Sequence, residues 1–416
     1  MRKLITLAVC ALWAVGMTAQ TRNVKVVVSN DCDMDKVDEP VVVSLKDVKK
    51  LAFCPEGAVV KDGEKVVPCQ LDDMDGDLRV DELFFLVNMK AKETKTFEVV
   101  LSKERVENKV ESRIYTALQI RDKKDLHPDV RMVEADAETN IFNDIYMHGM
   151  TIESELVGYR IYFDKRQNID LYGKKLRRIE LPVTQFYTSE EQIAQGYGVD
   201  VLWAGQAIGC GSFKRYKDGK PANWEGDIKV RSQRVVTTGP LRTVVELADR
   251  GIADGEGMYD IHQYYSLYAG HRDVKVDVLF SDATQQKFCT GVQKVGVTAT
   301  DEVRRGHKSE GMIREDGIVA SWGCDYPDMN EAKKLIWGPE PIGMAVYMPT
   351  KYIFDSEEDE LNYVYGVQPK DKAIHYWLSF CAAKEDVGYH NASEWFGSMD
   401  EWKKNVENPV KLKIKN

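Results

Sequence analysis

Four aspartates, Asp73, Asp75, Asp77 and Asp81, crowd around Gly76 in the stretch QLDDMDGDLRVDELFFLV. Carboxylates this close on one turn repel each other, and a hard cation relieves that repulsion. The spacing excludes an EF-hand. Such a loop needs glycine at its sixth position and a bidentate glutamate at its twelfth, whereas here Gly76 comes fourth from Asp73 and Phe84 twelfth. Three readings stay open: a structural calcium site, a sugar contact, and a hairpin turn in which Asp and Gly supply only backbone geometry.

A second group lies in YDIHQYYSLYAG, residues 259–270. Read as a strand, it puts Tyr259, Ile261, Tyr265 and Leu267 on a core face and Asp260, His262, Tyr264, Ser266 and Tyr268 on the other. Aromatic faces stack on sugar C–H surfaces while polar tips bond hydroxyls, so this second face suits a carbohydrate. His262 and Tyr264 are also types that transfer protons. Against this, tyrosine and histidine are common on any half-exposed strand.

A third group lies in TIESELVGYRIYF, residues 151–163, which reads as a single strand. Glu153, Glu155 and Tyr159 then share one face, and Arg160 and Tyr162 the other. His148 precedes it on a loop at the strand's start, where functional residues collect. Arg160 is suited to hold a sugar carboxylate bidentately; its alternative is a cross-strand pair with an acid of a neighbouring strand. Other chemistries lack their motifs. The histidines show no H-x-x-x-H spacing, no G-x-S-x-G elbow occurs, and GCGS at 209–212 has no following helix with Lys-Ser/Thr to cradle phosphate.

The elements that must position these residues are mostly strands. Alternating β-branched and aromatic runs punctuated by Gly, Asp and Asn predict six short strands before residue 102, the run 65–71 among them, forming an N-terminal β layer over 21–113. The charged stretch 102–113 serves as a linker. Longer strands follow over 114–416, including 235–249 and 273–280, while the acidic run 355–360 reads as a solvated loop. Helices are few. Ser189 opens a short one, and Ser398 with Glu401 forms a capping box for a terminal helix that Asn408-Pro409 stops. The fold class expected is all-β, a large antiparallel sandwich fronted by a smaller one.

Arg2 and Lys3, the apolar LITLAVCALWAV and the small residues of GMTAQ predict a cleaved secretory leader over 1–20. Its core is too short to span a bilayer, which needs about 20 apolar residues, and no later stretch is apolar enough for a membrane helix. Export to the periplasm follows. The formal net charge of −10 argues against nucleic acid as a partner. Seven cysteines follow the leader, without a C-x-x-C, and read as free buried thiols.

The motifs VVVSNDCDMDKVDEPVVVSL, VPCQLDDMDGDLRVDELFFLV, ESELVGYRIYFDKRQNIDLYGKK, GYGVDVLWAGQAIGCGSF, TTGPLRTVVEL and YYSLYAGHRDVKVDV together resemble the domain of unknown function 4861 family over nearly the whole mature chain. The resemblance implies an exported Bacteroidetes protein associated with the breakdown of pectin-like, uronate-rich polysaccharides. It also implies a β-supersandwich like those of galactose mutarotase-like proteins and some polysaccharide lyases. It carries over no catalytic residues. The function expected is action on uronate-containing, acidic oligosaccharides. In β-elimination, Arg160 would neutralise the carboxylate, His262 or His148 would abstract the proton and Tyr264 would protonate the leaving oxygen. Glu153, Glu155, Tyr159, Tyr162, Asp260 and Tyr268 would contact substrate. The alternatives are hydrolysis, sugar binding without turnover, and epimerase or mutarotase action.

Overall fold

The computed structural model describes residues 20–106, 110–124, 126–226, 228–255, 257–296, 309–328 and 330–416. The expected leader lies outside these, Gln20 excepted.

Seven strands build the N-terminal layer: β1 (Thr21–Ser29), β2 (Lys36–Ser44), β3 (Gly57–Asp62), β4 (Lys65–Val67), β5 (Cys69–Asp72), β6 (Glu82–Met89) and β7 (Thr94–Ser102). Period-two alternation sends Val24, Val26, Val28, Val41, Val43, Leu83, Phe85, Phe97 and Val99 into one core. Each such side chain stabilises the layer by roughly 1.5–3 kcal/mol on burial. The expected strand over 65–71 is cut at Pro68, which has no N–H for a ladder. β4 therefore pairs with β3, and β5 with β6 in the second sheet.

Next come β8 (Ile114–Ile120), β9 (Met132–Asp136), β10 (Ile145–Ser154), β11 (Gly158–Tyr162), β12 (Ile169–Gly173), helices α1 (Leu181–Thr184) and α2 (Glu190–Ala194), and β13 (Val199–Asp200). The expected single strand 151–163 is in fact the β10–β11 hairpin, closed by Ser154 N–H donating to the Val157 carbonyl at 2.9 Å. Alternation runs on with the same period across this tight turn, which is why the pattern concealed it. α2 has the expected start, a capping box of Ser189 and Gln192.

The remainder comprises β14 (Lys214–Lys217), β15 (Lys220–Ala222), β16 (Val230–Thr238), β17 (Arg242–Asp254), β18 (Gly257–Tyr268), β19 (Val274–Phe280), β20 (Phe288–Gln293), β21 (Glu310–Ile313), β22 (Ile318–Asp325), α3 (Glu331–Trp337), β23 (Glu340–Tyr347), β24 (Ile353–Glu358), β25 (Asn362–Val367), β26 (Ala373–Ala382), α4 (Ala392–Gly397), α5 (Met399–Glu407) and β27 (Lys411–Lys415). The expected strand 235–249 is likewise a hairpin, β16–β17, turning at Gly239-Pro240. The acidic run 355–360 is not a loop for most of its length: β24 is an edge strand paired with β25, and its charges face solvent. Ser398 does not cap. Its backbone is helical and its hydroxyl donates to the Trp395 carbonyl, so α4 leads directly into α5, while Asn391 caps α4. α5 ends at Glu407, before Asn408-Pro409, as expected.

The architecture is all-β and antiparallel. A nine-stranded sheet, β21-β22-β23-β26-β19-β18-β17-β16-β9, faces two five-stranded sheets, β13-β12-β11-β10-β8 and β15-β14-β20-β25-β24. One apolar cluster takes Ile152, Tyr159 and Ile161 from the first small sheet, Phe288 and Tyr365 from the second, and Val245, Ile261, Tyr265 and Val276 from the large one. β27 returns to pair with β1 of the N-terminal layer. Arg113 fastens that layer again, gripping Asp38 through both Nη atoms (3.0 and 2.7 Å) and Glu155 through Nε (2.7 Å). Of the seven described cysteines, six are buried and Cys54 is exposed. No helix among the described residues is long and apolar enough to cross a membrane.

Candidate functional site

β10 departs from regular pairing between Tyr146 and Thr151, where its register with β8 shifts. Met147 and His148 both adopt left-handed backbone, φ 59° and 62°. Such residues cost on the order of 1 kcal/mol or more each and persist only where surroundings impose them. Here Met147 is locked among Ala117, Tyr172, Leu181 and Phe186. The next residue must be glycine, because a Cβ on Gly149 would sit 1.9 Å from the Ile161 carbonyl oxygen of β11. The bulge turns His148 onto Phe142, ring on ring at 4.1 Å and 4°.

The His148 Nδ1 lies 2.9 Å from the Phe142 carbonyl. A carbonyl only accepts, so Nδ1 carries the hydrogen and Nε2 keeps its lone pair. Burial pushes the imidazole pKa below its usual value, helped by the charges of Arg160, Arg121 and Lys333 and opposed by the Phe142 hydrogen bond. The result is a neutral imidazole with a basic nitrogen in a cationic setting.

Arg160 and Tyr162 flank the same bulge from β11, since Tyr162 pairs with Gly149 and Arg160 with Thr151. The Arg160 guanidinium lies over the rings of Phe186 (4.4 Å) and Tyr162 (4.9 Å). It donates to Tyr162 Oη (2.8 Å), to Asp200 (3.0 Å) and to Asp170, its cross-strand neighbour on β12. Tyr162 in turn donates to Asp170 at 2.7 Å. Burial, and then the charge of Asp170, raise the Asp200 pKa well above the carboxylate range, against the pull of Arg160. Asp200 is thus a carboxyl biased toward its protonated form, joined to this face through Arg160. Arg160 has taken the cross-strand alternative, and with two acids on one nitrogen it does not stand free to clamp a substrate carboxylate.

A model of the Domain of unknown function (DUF4861) matches residues 28–412. The chain belongs to the DUF4861 family. Among solved structures, this DUF4861 chain is similar to an alpha-mannosidase from Enterococcus faecalis V583, at 10% identity and TM-score 0.46, over 95% of this chain and 46% of that one. A glycosyl hydrolase family 38 protein from Enterococcus faecalis gives 9% identity and TM-score 0.45, over 95% and 47%. A Klebsiella pneumoniae protein described as an aldose 1-epimerase gives 8% and 0.31, over 70% and 95%. The chain spans about half the length of the first two. No curated protein matches it.

The other residues singled out in the DUF4861 sequence lie elsewhere. Tyr159 and Ile161 of β11 share a core with Ile261 and Tyr265 of β18. Arg160 and Tyr162 therefore point away from the nine-stranded sheet on one side, and His262 and Tyr264 away from the core on the other. No single trough joins them. His262 Nδ1 meets Glu246 at 2.8 Å. Tyr268 is stacked under Phe84 of the N-terminal layer at 5.5 Å. Asp260 accepts from Gly251 N–H (2.8 Å) at a bulge of β17. Glu153 is fully buried, paired with Lys174 and accepting from the N–H groups of Glu180 and Leu181 at the start of α1. Glu155 belongs to the Arg113 clamp, and Tyr159 is buried with its hydroxyl on the Arg272 carbonyl. These positions leave Glu153, Glu155 and Tyr159 no surface for a sugar.

In the acidic turn, ligand atoms of Asp73, Asp75 and Asp81 lie within 4.8 Å of one another. Asp77 stands outside this group and accepts from Arg79 N–H at 2.8 Å. Three convergent carboxylates suit a hard cation such as calcium. They also accept from the N–H groups of Met74, Gly76, Asp77 and Leu78, so the turn has internal order of its own.

Sequence reasoning passed over Asp170 and Asp200. Each stands alone in an apolar strand, I-D-L and V-D-V, where a buried charge must find a partner. That was the available signal.

Proposed function

We propose that the protein is an enzyme of uronate-containing oligosaccharides, working by β-elimination at the outward face of β10–β13. The observation that carries this reading is His148, a neutral imidazole held on a strained bulge with Nε2 free to take a proton. Nε2 removes the proton on C5, α to the sugar carboxylate. Its bonding electrons become the C4–C5 double bond, the C4–O bond breaks, and the departing oxygen takes the proton of Asp200. Arg121, exposed, over the Tyr146 ring at 5.3 Å and without an ion pair among the described residues, is the cation assigned to the substrate carboxylate. Arg160 acts through Asp170 and Asp200 as a positioning residue.

A second reading, glycoside hydrolysis, is favoured by the carboxyl pair Asp170 and Asp200 gathered on one guanidinium. Ultraviolet absorbance during incubation with acidic oligosaccharides separates the two. Elimination creates an absorbing conjugated uronate, hydrolysis liberates reducing ends without it, and a sugar-binding protein produces neither. The leader supports export to the periplasm, which N-terminal sequencing of the mature chain would test. The acidic turn is assigned a structural rather than catalytic calcium ion.

A further inference from the structure

A cleft of about 600 Å³ is lined in part by Phe142, the ring on which His148 stacks. That volume is within the usual range for a small-molecule site, roughly 300–1,000 Å³. We propose that this cleft is a subsite for a neutral sugar unit adjoining the reacting uronate. Its position beside the reaction rests on the reading of His148 given above; its preference for a neutral sugar rests on the cleft alone.

Arg231 closes the floor. It points inward from β16, is 3% exposed, and gives Nε to Asp249 at 2.9 Å. Its Nη2 is buried with no hydrogen-bond partner among the described residues. A buried donor left unmade costs about 1–3 kcal/mol, so this atom is poised for an acceptor oxygen that the described residues do not supply. The charges on the walls are largely spent on each other: Lys165 pairs with Glu225 at 2.6 Å and Arg166 with Asp164 at 2.7 Å. What remains at the rim is negative, because Asp136 and Glu138 are exposed and carry no ion pair among the described residues.

Unpaired carboxylates repel a uronate but accept protons from hydroxyl groups. The exposed amide of Gln206 adds further hydrogen-bonding capacity. A polyhydroxylated ring without its own carboxylate satisfies both sets of groups: hydroxyl or ring oxygen to Arg231, hydroxyl protons to Asp136 and Glu138. The preferred ligand is then a mixed oligosaccharide, with a uronate at His148 and a neutral unit beside it.

The test uses the full chain carrying His148→Ala, so that ligands stay intact. Its binding is titrated calorimetrically against cell-wall oligosaccharides in three classes: neutral, mixed neutral–uronate, and purely uronate. Mixed members should bind tightest. Glu138→Ala or Gln206→Ala should weaken them by about fivefold, and neither should weaken purely acidic members. Glu138→Lys should reverse the preference toward the acidic class. Arg231→Lys keeps a charge for Asp249 while removing the Nη2 donor, and should also weaken the mixed class; if it fails to fold, the exposed Glu138 variants decide. Equal binding of mixed and purely acidic members, indifference to Glu138→Lys, or no saccharide bound at all would each overturn the proposal. Turnover by the wild-type chain judges the elimination reading separately. Absent turnover together with Glu138-dependent binding would overturn only that reading.

Discussion

The two outward faces of the sandwich both carry histidine, tyrosine, arginine and acids, yet they are built differently. On the nine-stranded sheet the residues form a straight cross-strand row, Arg234–Glu246–Tyr264–Asp277–His375, each opposite the next in register. Arg234 meets Glu246 at 2.8 Å and His375 meets Asp277 at 2.6 Å. Burial alone would raise Glu246, but hydrogen bonds from His262, Arg234 and Tyr264 hold it down to about 2. Each charge in this row has a partner. On the β10–β13 face the backbone is strained at Met147 and His148, Arg160 Nε is buried without a partner among the described residues, the imidazole is pushed toward its neutral form and Asp200 toward its protonated one. Satisfied ladders are what stable sheets contain; unsatisfied donors, strained backbone and ionisations displaced toward each other mark sites that act.

The largest expected contrast is kinetic. His148→Ala should reduce turnover of an acidic oligosaccharide by about 10²–10⁴-fold, the usual worth of a general base. His262→Ala should stay within a few-fold. Equal losses in the two variants would erase the distinction between the faces.

Stability supplies the second contrast. Arg160→Ala strands the buried acids Asp170 and Asp200, and breaking such a network costs on the order of 3–5 kcal/mol. Arg234→Ala removes a partner from a half-exposed pair and should cost at most about 1 kcal/mol. Urea unfolding of both variants measures the difference, and a milder Arg160 variant would mean that Asp170 and Asp200 find water.

The third contrast is in pH. His148 is a base only above its lowered pKa, so the acid limb of kcat/KM should fall below the ordinary histidine value of about 6.5. Asp200 is an acid only below its raised pKa, which puts a second, descending limb above the carboxylate range. Glu246 affects stability instead. Its folded pKa is depressed, so its contribution is present above the ordinary carboxylate value and is lost as pH falls toward 2. A single sigmoid in the rate profile, or an acid limb at or above 6.5, would contradict the assigned roles.

The smallest effect concerns the acidic turn. If Asp73, Asp75 and Asp81 hold calcium, chelator should lower the melting temperature by a few degrees, and calcium should restore it. Asp77→Asn should not alter that shift, since Asp77 lies outside the convergent group. No shift in the wild type would leave the turn a hairpin ordered by its own hydrogen bonds.

Much of the fold was legible because burial in a sheet imprints a period of two. Ile261, Tyr265, Val276 and Val278 go inward as their alternation demands. Alternation is blind, however, to a tight turn that preserves it. Glu155–Val157 reverses the chain with no proline or Asn-Gly to announce it, so one expected strand became two and Glu155 moved to the Arg113 clamp.

The sequence by itself determined which side chains of each strand face the core, because that depends only on neighbours two residues apart. Only the tertiary structure decided which faces meet. Arg160 finds Asp170 ten residues on and Asp200 forty residues on, through register and sheet order that no local pattern encodes. His148 owes its lowered pKa first to burial and then to charges that packing brings near. Electrostatic and hydrogen-bond energies follow distance in space rather than along the chain, so the chemistry of this protein had to wait for its fold.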